Sequence, residues 1–243
     1  ANLQIIHNSA DPGADEVDIY LDGSLIADDF AFRTASDFLE VPAGSPIDID
    51  VAPGNSSDVG DSIFNLETTL TADEKYIAVA NGVLDPSQFD ASVNTIDFNL
   101  DVFAGAQKTS TNEGETSVLV HHGSADAPTV DITERTAGLL VDDISYTGFA
   151  DYLDLANQDY TLDVELADNS AVVESYSASL QNLGLADSAI TVVASGFLDP
   201  SSNQDGEAFG LFAALPSGGA LVELPTTDGP VVDLQIIHNA ADP

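Results

Sequence analysis

Apolar and acidic residues alternate with period two in Ile47-Asp48-Ile49-Asp50-Val51, which puts Ile47, Ile49 and Val51 on one face of a strand and the aspartates in water. The same alternation places Ile96, Phe98, Leu100 and Val102 together in Thr95 to Phe103, and Leu162, Val164 and Leu166 together in Thr161 to Leu166. Each apolar face needs a second sheet to cover it. Tyr76-Ile77-Ala78-Val79-Ala80 and Ile190-Thr191-Val192-Val193-Ala194 are nearly apolar throughout and read as central strands of a sandwich. Turn clusters at Asp22-Gly23, Pro53-Gly54-Asn55, Asp85-Pro86-Ser87 and Asp199-Pro200-Ser201 separate such runs. Helical patterning is confined to Leu66 to Lys75 and Leu180 to Asp187, both too short to shape the fold. The pattern predicts an all-β protein.

Internal repeats divide it. His7-Asn8-Ser9-Ala10-Asp11 returns as His122-Gly123-Ser124-Ala125-Asp126, Val17-Asp18-Ile19 as Val130-Asp131-Ile132, and Gly82-Val83-Leu84-Asp85-Pro86-Ser87 as Gly196-Phe197-Leu198-Asp199-Pro200-Ser201. Three matches in one order predict two tandem immunoglobulin-like β-sandwich domains, residues 1–108 and 109–230, joined between Ala104 and Ser117. A second match is closer. From Asn2 to Pro12 only two positions differ from the segment Asp233 to Pro243, so residues 231–243 are expected to hold the first strand of a third copy. That strand, Leu234, Gln235, Ile236, Ile237, His238 and Asn239, either begins a next repeat or pairs with a sheet of a neighbouring subunit as an assembly strand. Pro216-Ser217-Gly218-Gly219 or Pro225 to Pro230 reads as the short, stiff join before it, so units are expected end to end.

Charge narrows the partners. Among 243 residues, 42 acids face only Arg33, Lys75, Lys108 and Arg135, a formal net charge of −38. Nucleic acid and anionic membrane are repelled. With 44% hydrophobic residues the chain is a folded domain with an acidic skin rather than a disordered segment. Such a skin suits halophilic or marine surroundings, where salt screens self-repulsion, or calcium-containing ones. Without cysteine there is no disulfide, thiolate site or thiol nucleophile, and no run approaches the roughly 20 apolar residues of a membrane span. A start at Ala1-Asn2-Leu3 without an initiator reads as a processed or cropped chain, which fits export to an extracellular or cell-surface location.

The strand-end signature, seen in Ile5 to Pro12 with Val17 to Gly23 and in Leu119 to Pro128 with Val130 to Ile132, resembles that of the bacterial and archaeal domain-of-unknown-function family numbered 4397. Phe38-Leu39-Glu40-Val41-Pro42-Ala43-Gly44 is similar to a further segment of that family; the second copy departs there, at Asp151 to Ala156, losing the proline and glycine. The resemblance implies a secreted or surface β-sandwich, often in tandem, and implies no activity.

Candidate chemistry is sparse. His7, His122 and His238, beside Asp11, Asp126 and Asp242, are either zinc or copper ligands or strand-end histidines bonded to the following turn; alternation sends His121 to the face opposite His122. The acidic loops Asp11 to Asp18 and Asn55 to Asp61 make Asp11, Asp15, Asp18, Asp58 and Asp61 the candidate calcium ligands, the alternative being solvated acidic turns; neither loop has EF-hand spacing. No nucleophile elbow, zinc-protease, phosphate-loop or dinucleotide motif is present, so the chain reads as a non-enzyme with no cofactor other than calcium. Asn55-Ser56-Ser57 is a glycosylation sequon, and Thr109-Ser110-Thr111 is a candidate for O-linked sugar. The leading expectation is a structural subunit or repeat of an extracellular fibre, stalk or surface layer whose partners are copies of itself. The alternative is a calcium-dependent adhesin or carbohydrate-binding module with glycans as partners, although the absence of Trp removes the usual stacking platform.

Overall fold

A computed structural model describes residues 1–90 and 93–230; the assembly strand Leu234 to Asn239, with His238 and Asp242, lies outside them. The first half consists of β1 (Asn2–His7), β2 (Glu16–Leu21), β3 (Ser24–Ala31), β4 (Thr34–Ala35), β5 (Leu39–Glu40), β6 (Pro46–Pro53), β7 (Phe64–Thr69), β8 (Lys75–Asn81) and β9 (Asn99–Ala104). The second consists of β10 (Glu115–His122), β11 (Val130–Glu134), β12 (Gly138–Ile144), β13 (Phe149–Ala156), β14 (Asp159–Leu166), β15 (Val172–Ser179), β16 (Ala189–Ser195), β17 (Gly210–Ala214), β18 (Gly219–Ala220) and β19 (Val222–Glu223). The fold is all-β and built as β-sandwiches.

Each half has two sheets. In the first, β4 and β5, β1, β8 and β9 form one sheet and β3-β2-β6-β7 the other; in the second, the corresponding sheets are β13-β10-β16-β17-β19 and β12-β11-β14-β15. Alternation sets the cores: Ile47, Ile49 and Val51 pack with Leu3, Ile5 and Val17, and Val164 with Val118, Val130 and Ile190. Two details depart from the expected pattern. Val102 is 42% exposed, because β9 is the outer strand of its sheet and the last inward position overhangs. Leu66 to Lys75 is strand and turn rather than helix, and Leu180 to Asp187 is a run of turns.

The first strand of each half pairs in parallel with the last-but-one, Asn2 to His7 against Lys75 to Ala80 and Ser117 to His122 against Ala189 to Ala194. This differs from the ABED and CFG sheets of an antibody domain. Since β9 then runs antiparallel to β8, with Ala104 opposite Tyr76, the chain enters and leaves the first half at the same end of one sheet.

Within the pair, the two halves are not strung end to end. The two halves lie face to face, so the block has four layers. On the far side of the central strands, Ile6, Ile77 and Val79 of the first half meet Leu119, Val193 and Phe212 of the second in one buried cluster, which is why these strands are apolar on both faces. Pro216 to Gly219 and Pro225 to Pro230, the two alternatives for the join, are both built into the block. β18 pairs with β4 of the first half, β19 with β17, and Thr226 bridges to Tyr176 on β15, while Arg135 donates to Asp228 O at 2.7 Å.

Of the four cations, Arg33 spans the seam. Lys108 Nζ lies 3.3 Å from Asn2 Oδ1 and over the Phe38 ring. Arg33 stacks 3.8 Å over Phe212 and donates to Ser195 Oγ, Ser195 O and Ala208 O. Arg33→Ala would leave those acceptors unpaired in a mostly buried place, and a loss of about 3 kcal/mol is expected, read as a lower denaturation midpoint. Arg33→Lys should recover less than half of that, since an ammonium reproduces neither the fork nor the stack.

Candidate functional site

The repeated motifs meet at the strand ends that lead away from the joins. His7 closes β1 with its side chain fully buried, and its Nε2 lies 2.7 Å from Ala14 O. A carbonyl only accepts, so Nε2 carries the proton, and Nδ1 accepts from Ser9 N at 3.4 Å. His122 repeats the Nε2 bond with Pro128 O at 3.0 Å, but its Nδ1 is buried without a hydrogen-bond partner. Burial pushes both imidazoles down to about 4, so both are neutral at ordinary pH. His121 points the other way, into the seam. Its Nε2 lies 3.1 Å from Asp101 Oδ2, and that carboxylate also accepts from Asn81 and Asn99.

The serine and aspartate of the signature reach across to the other repeated motif. Ser9 Oγ donates to Gly82 O and Ser124 Oγ to Gly196 O, both at 2.7 Å. Asp11 accepts from Gly13 N and Leu84 N; Asp126 accepts from Leu198 N, Asp199 N and Asn203 Nδ2. Asp85 and Asp199 then cap short 3-10 turns by accepting from Ser87 N and Ser201 N. The two sequence motifs are thus halves of one clamp, present in each copy. His7 uses both ring nitrogens within the clamp, and Asp11 accepts one bond at each carboxylate oxygen.

The candidate calcium ligands do not converge. Asp15 is exposed and, with Asp11, Phe32, Asp205 and Glu207, lines a groove of about 200 Å³ between the two halves. Asp58 caps the turn Val59–Asp61 by accepting from Gly60 N, and Asp61 accepts from Ser57 N and Ser57 Oγ, bonds that hold its carboxyl below the usual range. Asp18 is buried on the outer sheet of the first sandwich and joins that loop through Ser56, whose hydroxyl donates to Asp18 Oδ2. The carboxylates that do gather are Asp18 with Asp28 and Asp29, and Asp131 with Asp142 and Asp143, each group offering oxygens within 4.8 Å of one another. The repeated Asp-Asp dipeptide on β3 and β12 was the available signal. Asn55 is exposed at a turn closed by Ser56 N and Pro53 O.

A family profile described as "Domain of unknown function (DUF4397)" matches residues 1–133, more than half of the chain. The chain belongs to the DUF4397 family. In this DUF4397 protein the clamp accounts for the signature in structural terms, with each residue type chosen for a bond. No curated protein matches the chain. Among solved structures, one titled as alpha-glucan recognition by family 41 carbohydrate-binding modules from streptococcal virulence factors is similar at 11% identity and a TM-score of 0.25, covering 79% of this chain and 92% of that one. A structure titled as that of a putative cell adhesion protein from Bacteroides ovatus is similar at 11% identity and a TM-score of 0.19, covering 96% of this chain and 99% of that one. At these scores neither likeness carries an argument.

Proposed function

We propose that this DUF4397 chain is a non-enzymatic structural module of an extracellular fibre, stalk or surface layer, a rigid acidic block whose partners are copies of itself. The observation that carries this reading is the clamp. In both copies the histidine Nε2, the serine hydroxyl and the aspartate carboxylate make bonds within the fold, and the histidines are buried and neutral. Face-to-face packing favours a surface layer or thick fibre over a thin stalk, since each pair adds width as well as length. The acidic outer surface keeps such a block dispersed in salt.

A second reading, an adhesin or carbohydrate-binding module, is favoured by the groove between the halves, where Phe32 offers an aromatic face beside carboxylates. Electron microscopy of native material, together with a glycan array, separates the two. Filaments or ordered sheets without saturable glycan binding are expected. Dispersed single particles that bind one glycan at micromolar affinity would replace the structural reading with the second. Deleting residues 232–243 and measuring size by light scattering tests whether Leu234 to Asn239 joins subunits: assembly unchanged by the deletion removes that strand from the proposal.

A further inference from the structure

Asn8 and Gly123 hold the same place in the two copies, directly after His7 and His122, and there the copies differ. Their backbones are equivalent, since Asn8 N donates to Ala80 O and Gly123 N to Ala194 O. Yet these two positions also touch each other. The Asn8 side chain is wholly buried, and its Nδ2 lies 3.3 Å from both Gly123 O and Ala194 O of the other half. Equivalent positions meet in this way across a two-fold interface. Whatever residue one half carries there must therefore fit the residue on the other.

Gly123 lies outside the left-handed region, so its backbone conformation does not require glycine. Space does: an added Cβ would collide with Asn8 Nδ2 and lie 2.9 Å from Ala194 O. Being buried, the Asn8 side chain has no open water to swing into. Carbonyls only accept, so Nδ2 must face them, and Asn8 Oδ1 is left buried without a partner. That unpaired oxygen costs stability, and a lone buried asparagine at an interface is a device that fixes which partners pair and in what register. Neighbouring seam positions are unlike in the same sense. Asp101, opposite Val79, corresponds to Phe212, opposite Val193; Asp101 meets His121 of the second half, and Phe212 meets Arg33 of the first.

We propose that the seam carries a pairing code, in which a half with asparagine at this position accepts only a half with glycine there. The first half then joins a second-type half, its own or another copy's, and rejects another first-type half, where two asparagines would compete for one space. Two second-type halves would leave a hole and set Phe212 where His121 finds its carboxylate. By sequence, the copy beginning at Asp233 carries Asn239 at the position of Asn8, which makes it first-type as well. Because the code is read inside one chain, its failure would leave the assembly reading untouched.

A double-mutant cycle on the full chain, read as the folding equilibrium constant from urea denaturation, tests it. Gly123→Asn makes both halves asparagine-type and should lower that constant about a hundredfold. Asn8→Gly leaves two carbonyls unpaired and should lower it about tenfold. Combined, the two substitutions exchange the code between the halves, so adding Asn8→Gly to Gly123→Asn should raise the constant about tenfold or more instead of lowering it further. Gly123→Ala is the milder arm, for use where asparagine prevents folding. It should cost about a hundredfold in the native chain and about tenfold in the Asn8→Gly background, where only the contacts with Ala194 O and His121 Nδ1 remain. A combined variant less stable than Gly123→Asn, or an alanine cost equal in the two backgrounds, overturns the proposal.

Discussion

Lowering the pH from 7.5 to 5 is expected to cost this protein about 4 kcal/mol of stability, roughly 2 from each of His7 and His122. The folded pKa of each imidazole lies near 4, against 6.5 in the open chain. Below 6.5 the unfolded state therefore takes up a proton that the folded state refuses. The stabilisation is complete above about pH 7, falls through the window from 6.5 to 4, and stops falling once the folded imidazoles also protonate. Carboxylates held low by their turns, such as Asp85 and Asp199, lose their contribution only at still lower pH, so the two effects separate on the pH axis. Urea denaturation at pH 7.5 and 5 in 1 M sodium chloride, where surface repulsion is screened, measures the histidine contribution. The double variant His7→Gln, His122→Gln should start lower, since glutamine packs less well against Phe30 and Phe32, but should lose most of the slope. A native protein equally stable at both pH values would show that the clamp histidines are not buried neutral donors.

How far the sequence reaches follows from what periodicity can encode. Alternation at Ile47, Ile49 and Val51 or at Leu162 and Val164 says which face is covered, and those faces form the two sandwich cores. It does not say what covers them. Tyr76 to Ala80 and Ile190 to Ala194 were legible as central strands of a sandwich, yet nothing in their apolar letters specifies that their far face is covered by the other repeat. The parallel pairing of β1 with β8 is likewise silent in sequence, because backbone bonds carry no side-chain signature. At the site, both halves of the clamp stood out as repeated motifs, but Ser9 and Gly82 are 73 residues apart and only folding makes them partners. Asp28 and Asp142 were hidden by abundance: among 42 acids, a pair is informative only once geometry selects it.

Gly196→Ala is expected to be the most damaging single methyl that can be added to the chain, at about 4 kcal/mol. Gly196 has φ +87°, and a Cβ there would lie 2.3 Å from Ala208 O, a backbone atom with no rotamer to yield. Relief requires the strand-end loops to separate. That would stretch the bonds from Phe197 N to Glu207 O and from Phe209 N to Phe197 O, and withdraw the Gly196 carbonyl from the Ser124 hydroxyl. The disturbance would also reach the seam, because Phe197 stacks 5.7 Å from Phe89 of the first half. Gly82 is the same position in the first copy, with φ +83° and a Cβ 2.4 Å from Asp97 O, so Gly82→Ala should cost a similar amount. Gly105 and Gly138 supply the control, since both have φ +88° but nothing within 4 Å of the added carbon. Alanine at either should cost only about 1 kcal/mol, the conformational part alone. The difference between the two pairs, read from denaturant midpoints, isolates the contribution of close backbone approach in the clamp. If all four substitutions cost the same, the clamp loops are free to spread and close backbone approach is not what holds each clamp together.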